Sequence, residues 1–226
     1  MSVSDKTAIV TGAGSKRGIG RATAHTLAAA GWNVAILDLD EASAKDAATE
    51  VADRNGVQAV GIACDVTDEA SVANALTVLD GALPPVGALV NNAGITSPTP
   101  FLEVSGEEWD RIFAVNVRGA YNITRRVAPG MAERGFGRIV FLASVSAERG
   151  GGVFGGVAYS AAKAAQLGFT RALARELGPH GVTVNAVAPG SSTPPSPAAP
   201  WRGSARRSWS PGSPWAATAG SPTSPI

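Results

Sequence analysis

Apolar residues in this chain come in short runs separated by stretches of helical spacing. Thr7-Ala8-Ile9-Val10 is one such run, closed by Thr11-Gly12. Ile19 to Ala30 has apolar positions at helical intervals and stops at Gly31, a natural C-cap. Asn33 to Leu37 reads as a second buried strand, and Glu41 to Arg54 as a surface helix ended by Asn55-Gly56. Val57 to Ala63 is a third strand, Asp68 to Leu79 a third helix, and Ala88 to Asn91 a fourth strand. A proline-containing loop follows, then one long helical stretch from about Glu107 to Glu133. Arg138 to Ala143, Val157 to Leu177 and Val182 to Val187 read as strand, long helix and strand.

Short Val/Ile/Ala-rich strands, each followed by a helix, predict a parallel sheet covered on both faces. Right-handed crossovers then give an α/β, doubly wound Rossmann fold in three αβα layers. Ligands of such sheets bind at the C-terminal strand ends, where Thr11, Asp38, Asp65, Asn91, Ser144 and Pro189 all fall. The first strand runs into Thr11-Gly12-Ala13-Gly14-Ser15-Lys16-Arg17-Gly18-Ile19-Gly20, which opens a helix. Glycines there let backbone approach a pyrophosphate, and the helix N-terminus offers free N–H groups. A tight turn alone would need no such reading, but strand, loop and helix stand in the order that dinucleotide binding requires. Asp38 ends the second strand, where a carboxylate suits ribose hydroxyls and repels a 2′-phosphate. That favours NAD over NADP, although Lys16 and Arg17 beside the loop would suit the phosphate.

Composition narrows the function. The 226 residues carry 19 Lys+Arg against 18 Asp+Glu, so no global charge points to nucleic acid or an anionic membrane. One cysteine, Cys64, excludes a disulfide framework, and with only two histidines no zinc site is expected. Cys64 reads as a small buried apolar residue. No apolar run reaches the ~18 residues of a membrane span, and no signal-peptide core precedes the first strand, so a soluble, cytoplasmic protein is expected. The average hides a split. Residues 191–226 hold eight of the 15 prolines and three of the five tryptophans, with no Asp, Glu, Leu, Val, Phe or Lys. They carry +3, and residues 1–190 carry −2.

Tyr159 and Lys163 stand four apart on a predicted helix and so share a face. An ammonium beside a phenol favours the phenolate and makes a usable acid/base. An isolated pair of this kind is more often incidental. Here it follows a strand ending in Ala143-Ser144 and the glycines 150–152.

In that company the chain resembles the short-chain dehydrogenase/reductase family over Lys6 to about Gly190. The resemblance rests on Thr11-Gly12…Gly18-Ile19-Gly20, Asp65-Val66, Asn91-Asn92-Ala93-Gly94, Asn116, Ser144, Tyr159-x3-Lys163 and Pro189-Gly190. It implies an NAD(P)-dependent oxidoreductase acting on a small carbonyl or alcohol, most similar to 3-oxoacyl-carrier-protein reductases and related alcohol or sugar dehydrogenases. By resemblance, Tyr159 is the general acid of carbonyl reduction and the base of alcohol oxidation. Lys163 assists it and holds the nicotinamide ribose, Ser144 polarises the carbonyl, and Asn116 anchors a water for proton relay. Asp65 and Val66 match adenine-contacting positions, and Asn91 to Gly94 the segment lining the cofactor. Gly12, Ser15, Arg17, Gly18, Ile19, Gly20, Asp38, Leu39, Pro189 and Gly190 complete the expected cofactor contacts. The family pairs its long helices, so a homodimer through Glu107–Glu133 and Val157–Leu177 is expected.

The chain departs from the family pattern in three places. The glycine loop is two residues longer than the commonest form. The Ser144-to-Tyr159 spacing is also two longer, which leaves Ser146 as the alternative hydroxyl; Ser144 is preferred because it follows the strand directly. Past Gly190 the family's closing helix and strand have no counterpart. Residues 191–226 are therefore expected to be a disordered Pro/Ser/Ala-rich tail after a Rossmann domain of residues 1–190, and the sheet to lack its final strand. Their Arg/Pro/Ala/Gly/Ser/Trp composition is that of GC-rich DNA read out of frame, which suggests a frameshift near codon 190; a natural proline-rich tail is the rival. Turnover is expected to be impaired, and a non-catalytic cofactor-binding remnant is the alternative function.

Overall fold

The computed structural model describes residues 5–151 and 155–190. The expectations for residues 191–226, and for Gly152, lie outside the described residues. Six strands form one parallel sheet: β1 (Thr7–Thr11), β2 (Asn33–Asp38), β3 (Ala59–Ala63), β4 (Val86–Asn91), β5 (Gly137–Leu142) and β6 (Val182–Val187). Their order is β3-β2-β1-β4-β5-β6, the doubly wound topology whose switch point lies between β1 and β4. The helices are α1 (Ile19–Ala29), α2 (Glu41–Asn55), α3 (Glu69–Asp80), α4 (Gly106–Phe113), α5 (Gly119–Glu133), α6 (Ser146–Arg149) and α7 (Val157–Leu177).

Alternation along the strands feeds two cores. Ile9, Leu37, Leu89 and Phe141 pack with α3, α5 and α7 on one face. Val10, Ile36, Val90 and Leu142 belong to the other, with α1 and α2. All five residues of β1 are buried. Small residues bring α2 down onto the sheet: a Cβ on Gly61 would lie 2.2 Å from the Ala44 carbonyl oxygen.

Three helices begin on side-chain caps, with Asp40 on α2, Asp68 on α3 and Ser105 on α4 accepting backbone N–H bonds. Helix α1 begins at Gly18 with no side-chain cap, which leaves its first N–H groups for a ligand. No helix among the described residues is long and apolar enough to cross a membrane.

The structure corrects the pattern in three places. The single helix expected over 107–133 is α4 and α5 joined by a π-helical turn, Ala114–Arg118. Asn116 causes the difference locally. Its Nδ2 donates to the Ile112 carbonyl at 2.9 Å, the acceptor its own backbone N–H would use in an α-helix. The third strand starts at Ala59, because the turn closing α2 (Gly56, φ 67°) takes two further residues. A short helix, α6, occupies Ser146–Arg149, where no element was expected.

Among the described residues β6 pairs only with β5. Val182 and Val184 are buried and Thr183 and Asn185 exposed, so the strand is covered on one face. Residue Phe141 is fully buried against Phe169, ring centroids 5.1 Å apart. Phe141→Ala should cost about 3–5 kcal/mol in denaturant unfolding, and Thr183→Ala less than about 0.5 kcal/mol.

Candidate active site

The six strand ends converge because every strand runs the same way. Thr11, Asp38 and Asn91 are the last residues of β1, β2 and β4; Asp65, Ser144 and Pro189 lie two beyond β3, β5 and β6. At the switch point two loops are stitched together. The Asn92 Nδ2 donates to the carbonyls of Thr11 and Gly12, both at 2.8 Å. The Thr11 hydroxyl accepts from the N–H groups of Asn92 and Ala93 at 3.1 and 3.0 Å. Gly12 is held with φ 64°, and a Cβ there would lie 2.7 Å from the Ala93 Cα, so only glycine fits. Asn91 ties β4 to α5, its Nδ2 donating to the Thr124 hydroxyl at 3.0 Å.

A groove of about 470 Å³ runs along this edge. Its lining includes Gly12, Gly18, Ile19, Gly20, Asp38, Leu39, Asp65, Val66, Asn92, Ala93 and Gly94. Ser15 and Arg17 are exposed on the glycine loop outside it. Asp38 turns one carboxylate oxygen to the Gly14 N–H at 2.8 Å, so it caps the glycine loop from β2. The Asp65 carboxylate accepts from the Thr67 N–H and hydroxyl at 2.8 and 2.7 Å, which shapes the turn carrying Val66. Cys64 lines the same groove, and burial pushes its thiol up to about 11, which leaves it protonated and unreactive. An uncapped helix N-terminus that offers donors, a carboxylate at the end of β2 that offers acceptors, and apolar walls at Val66 and Ile95 form a lining that fits a dinucleotide.

At the far end of the groove Lys163, Asn116 and Gly94 meet. A Cβ on Gly94 would lie 2.6 Å from Asn116 Oδ1 and 3.4 Å from Lys163 Nζ. Asn116 is fully buried; its amide donates to the carbonyls of Ile95 and Ile112, and its Oδ1 has no partner among the described residues. Lys163, 4% exposed, donates to the Leu142 carbonyl at 2.5 Å and stands 5.7 Å from the centre of the Tyr159 ring. Tyr159 itself is half-buried. Ser144 lies two residues past the end of β5, and its hydroxyl accepts from the Ser146 N–H at 3.1 Å. Ser146 opens α6 instead. Pro189 closes the group, its carbonyl accepting from the Val145 N–H, with Gly190 against the Val145 side chain.

Three side chains that hold these elements escaped the sequence reading. Arg21, buried on α1, donates to the Gly14 carbonyl at 2.7 Å and pairs with Asp46 and Glu50 of α2 at 2.9 and 2.6 Å. Asn122 of α5 donates to the carbonyls of Val66 and Thr67. Gln166, 1% exposed on α7, donates to the Asn116 carbonyl at 2.6 Å. A charged or amide residue at an inward helical position was the available signal in each case.

The profile of the family described as short chain dehydrogenase matches residues 6–198. The chain belongs to this family. Its members are NAD(P)-dependent oxidoreductases, and the doubly wound sheet is their fold. A short-chain type dehydrogenase/reductase of Sinorhizobium fredii, y4mP, is 47% identical over 190 residues, 84% of this chain and 75% of the relative. A 3-oxoacyl-[acyl-carrier protein] reductase from Brucella melitensis, solved with bound NAD, superposes with a TM-score of 0.77 at 36% identity, covering 84% of this chain and 72% of that one. A structure from Beutenbergia cavernae described as an NAD(P)-dependent gluconate 5-dehydrogenase, with NADP at low occupancy, gives 0.74 at 42% identity, covering 82% and 72%.

Burial lowers the pKa of Lys163 from 10.5 to about 8. A lysine whose pKa is lower folded than unfolded opposes folding while charged. The cost is full below about pH 8 and disappears as pH rises to about 10.5; it amounts to about 3 kcal/mol. Between pH 7.5 and 10.5 the wild-type chain should gain about 3 kcal/mol of stability relative to Lys163→Met, read from paired denaturant curves.

Proposed function

We propose that the chain transfers hydride between a nicotinamide cofactor and a carbonyl/alcohol pair, with Tyr159 as the acid/base. The observation that carries this reading is the meeting of Lys163 Nζ and Asn116 Oδ1 at Gly94, beside the Tyr159 ring and in line with the glycine-loop groove. The nicotinamide, when bound, supplies or accepts the hydride. The chain's own groups do the rest. Gly12 and the α1 N-terminus from Gly18 to Gly20 receive the pyrophosphate. Asp38 keeps carboxylate lone pairs for ribose hydroxyls and repels a 2′-phosphate, which favours NAD over NADP. Leu39, Asp65 and Val66 border the adenosine end, and Asn91 to Gly94 back the nicotinamide end. Ser15 and Arg17 reach the phosphates from the loop, and Pro189 and Gly190 close the site beside Ser144.

In carbonyl reduction the Tyr159 hydroxyl gives its proton to the developing alkoxide, and in alcohol oxidation the phenolate takes it back. Lys163 holds positive charge next to that oxygen and bonds the ribose. Ser144 donates a hydrogen bond to the carbonyl; its place at the C-terminal end of β5, before α6 begins, supports it over Ser146, whose N–H is bonded to Ser144 and which starts α6. Asn116 Oδ1, buried without a partner among the described residues, is an acceptor ready for a water or a ligand hydroxyl. The substrate is a small carbonyl or alcohol, and 3-oxoacyl thioesters are the first class to screen. A homodimer through the long helices is part of this reading: Phe113, Val117, Tyr121 and Phe169 line an apolar groove on their outer side, and a dimer mass in sedimentation would test it. So is a cytoplasmic location, where NAD is abundant.

Tyr159→Phe should lose at least about 10³-fold in kcat while binding NADH with a Kd within about threefold of wild type. Turnover that survives this substitution would overturn the role of Tyr159, and tighter binding of NADPH than NADH the role of Asp38.

Impaired turnover belongs to the same reading. The composition of residues 191–226 suits neither a substrate-covering helix nor a strand beside β6, and β6 is covered on one face. The domain division at Gly190, with the frameshift as its origin, is supported by the same contrast. The purified 226-residue chain should turn over ketones at least about tenfold slower than family members of the usual length, in matched assays with saturating NADH. Equal rates would remove this part of the reading.

A further inference from the structure

Among the described residues Gln166 is the largest fully buried neutral polar side chain, 1% exposed, and no part of the reaction above uses it. Burying an amide costs free energy unless both ends are bonded. Both ends are. Nε2 donates to the Asn116 carbonyl at 2.6 Å, and Oε1 accepts from Lys163 Nζ at 3.3 Å. The two contacts determine which end is which, because a carbonyl takes only a donor and an ammonium only an acceptor.

Lys163 and Gln166 stand three apart on α7 and face the same way. The ammonium has three protons. One goes to Leu142 O of β5 and one to Gln166, which leaves one, and Nζ lies 3.4 Å from where a Cβ on Gly94 would stand. The groups around Lys163 are the Tyr159 ring on its own helix, the Leu142 carbonyl, Asn116 of the π-helical turn and the Gly94 backbone. No salt bridge reaches it among the described residues. Its charge is therefore held by neutral oxygens, of which Gln166 supplies the only side-chain one that an observed hydrogen bond engages.

The π-helical turn makes this possible. Within the turn the Asn116 carbonyl accepts the Gln166 amide and the Asn116 side chain donates to the Ile112 carbonyl, so one residue carries both contacts. We infer that Gln166 is a positioning residue: its carboxamide clamps Lys163 to the Asn116 turn, keeps the lysine charged and directs its last proton into the groove. This rests on the reading of Lys163 as the partner of Tyr159.

The test reads the lysine directly, without cofactor or turnover. The sequence holds four lysines, so a 13C label at lysine Cε gives few resonances, and the Lys163→Met variant identifies the one wanted. Gln166→Met keeps the shape but offers Lys163 only a weak thioether acceptor. The Lys163 titration midpoint should fall by about one unit in this variant, because the charged form loses an acceptor. Gln166→Glu sets a carboxylate in the same place and should raise the midpoint by at least about one unit. A midpoint within about 0.3 unit of wild type in Gln166→Met overturns the inference, and if that variant fails to fold, an unmoved midpoint in Gln166→Glu does so. In the loaded enzyme, the alkaline limb of kcat for ketone reduction should move down with the midpoint in Gln166→Met, with the NADH Kd within about threefold of wild type. Full turnover by Lys163→Met would instead overturn the role of Lys163 and leave the measured clamp standing.

Discussion

Everything at the site depends on β1 being buried on both faces in the middle of a parallel sheet. Ile9 faces one helical layer and Val10 the other, and β2 and β4 occupy its two hydrogen-bonding edges. Between Thr7 and Thr11 its side chains are all apolar and buried. From there the chains after β1 and β4 leave for opposite faces, and the gap between them is the crevice. Asn92 and the Thr11 hydroxyl hold its two sides at a set separation, and a side chain at Gly12 would meet Ala93 and push them apart.

The Lys163 end of the groove is bought with burial of a charge. Lys163 sits among carbonyl oxygens with no carboxylate paired to it among the described residues, and its lowered pKa measures the cost. That cost is tolerated because β5 and α7 each present an oxygen to the same ammonium, the Leu142 carbonyl and Gln166 Oε1. The same arrangement places the orphaned Oδ1 of Asn116 beside it. Stability given up here is the counterpart of a polar cluster ready for a ligand.

How much of this was legible in the residues differs from element to element. Period and punctuation located all six strands and the main helices, since buried parallel strands leave apolar runs and caps leave Gly, Asp and Ser at the borders. The glycine loop and Asp38 were recognisable, but not that Asp38 would bond the Gly14 N–H, because this contact joins residues 24 apart through the sheet. The π-helical turn was invisible: adding one residue to a helical ring leaves the apolar spacing of Ala114 to Arg118 almost unaltered. Arg21 carries no local mark of its partners, and only the fold reveals that α2 brings Asp46 and Glu50 over it.

The sequence alone determined the fold class, the family and the set of residues at the strand ends, because these follow from local periodicity and from short motifs whose chemistry is contained in a few neighbouring positions. Tertiary structure decided which oxygens hold Lys163, which carbonyl of the turn takes an amide from α7, and that Gln166 joins the two. Those contacts span 50 residues between Asn116 and Gln166 and depend on how α7 is seated against the turn, a matter of packing that no local pattern encodes.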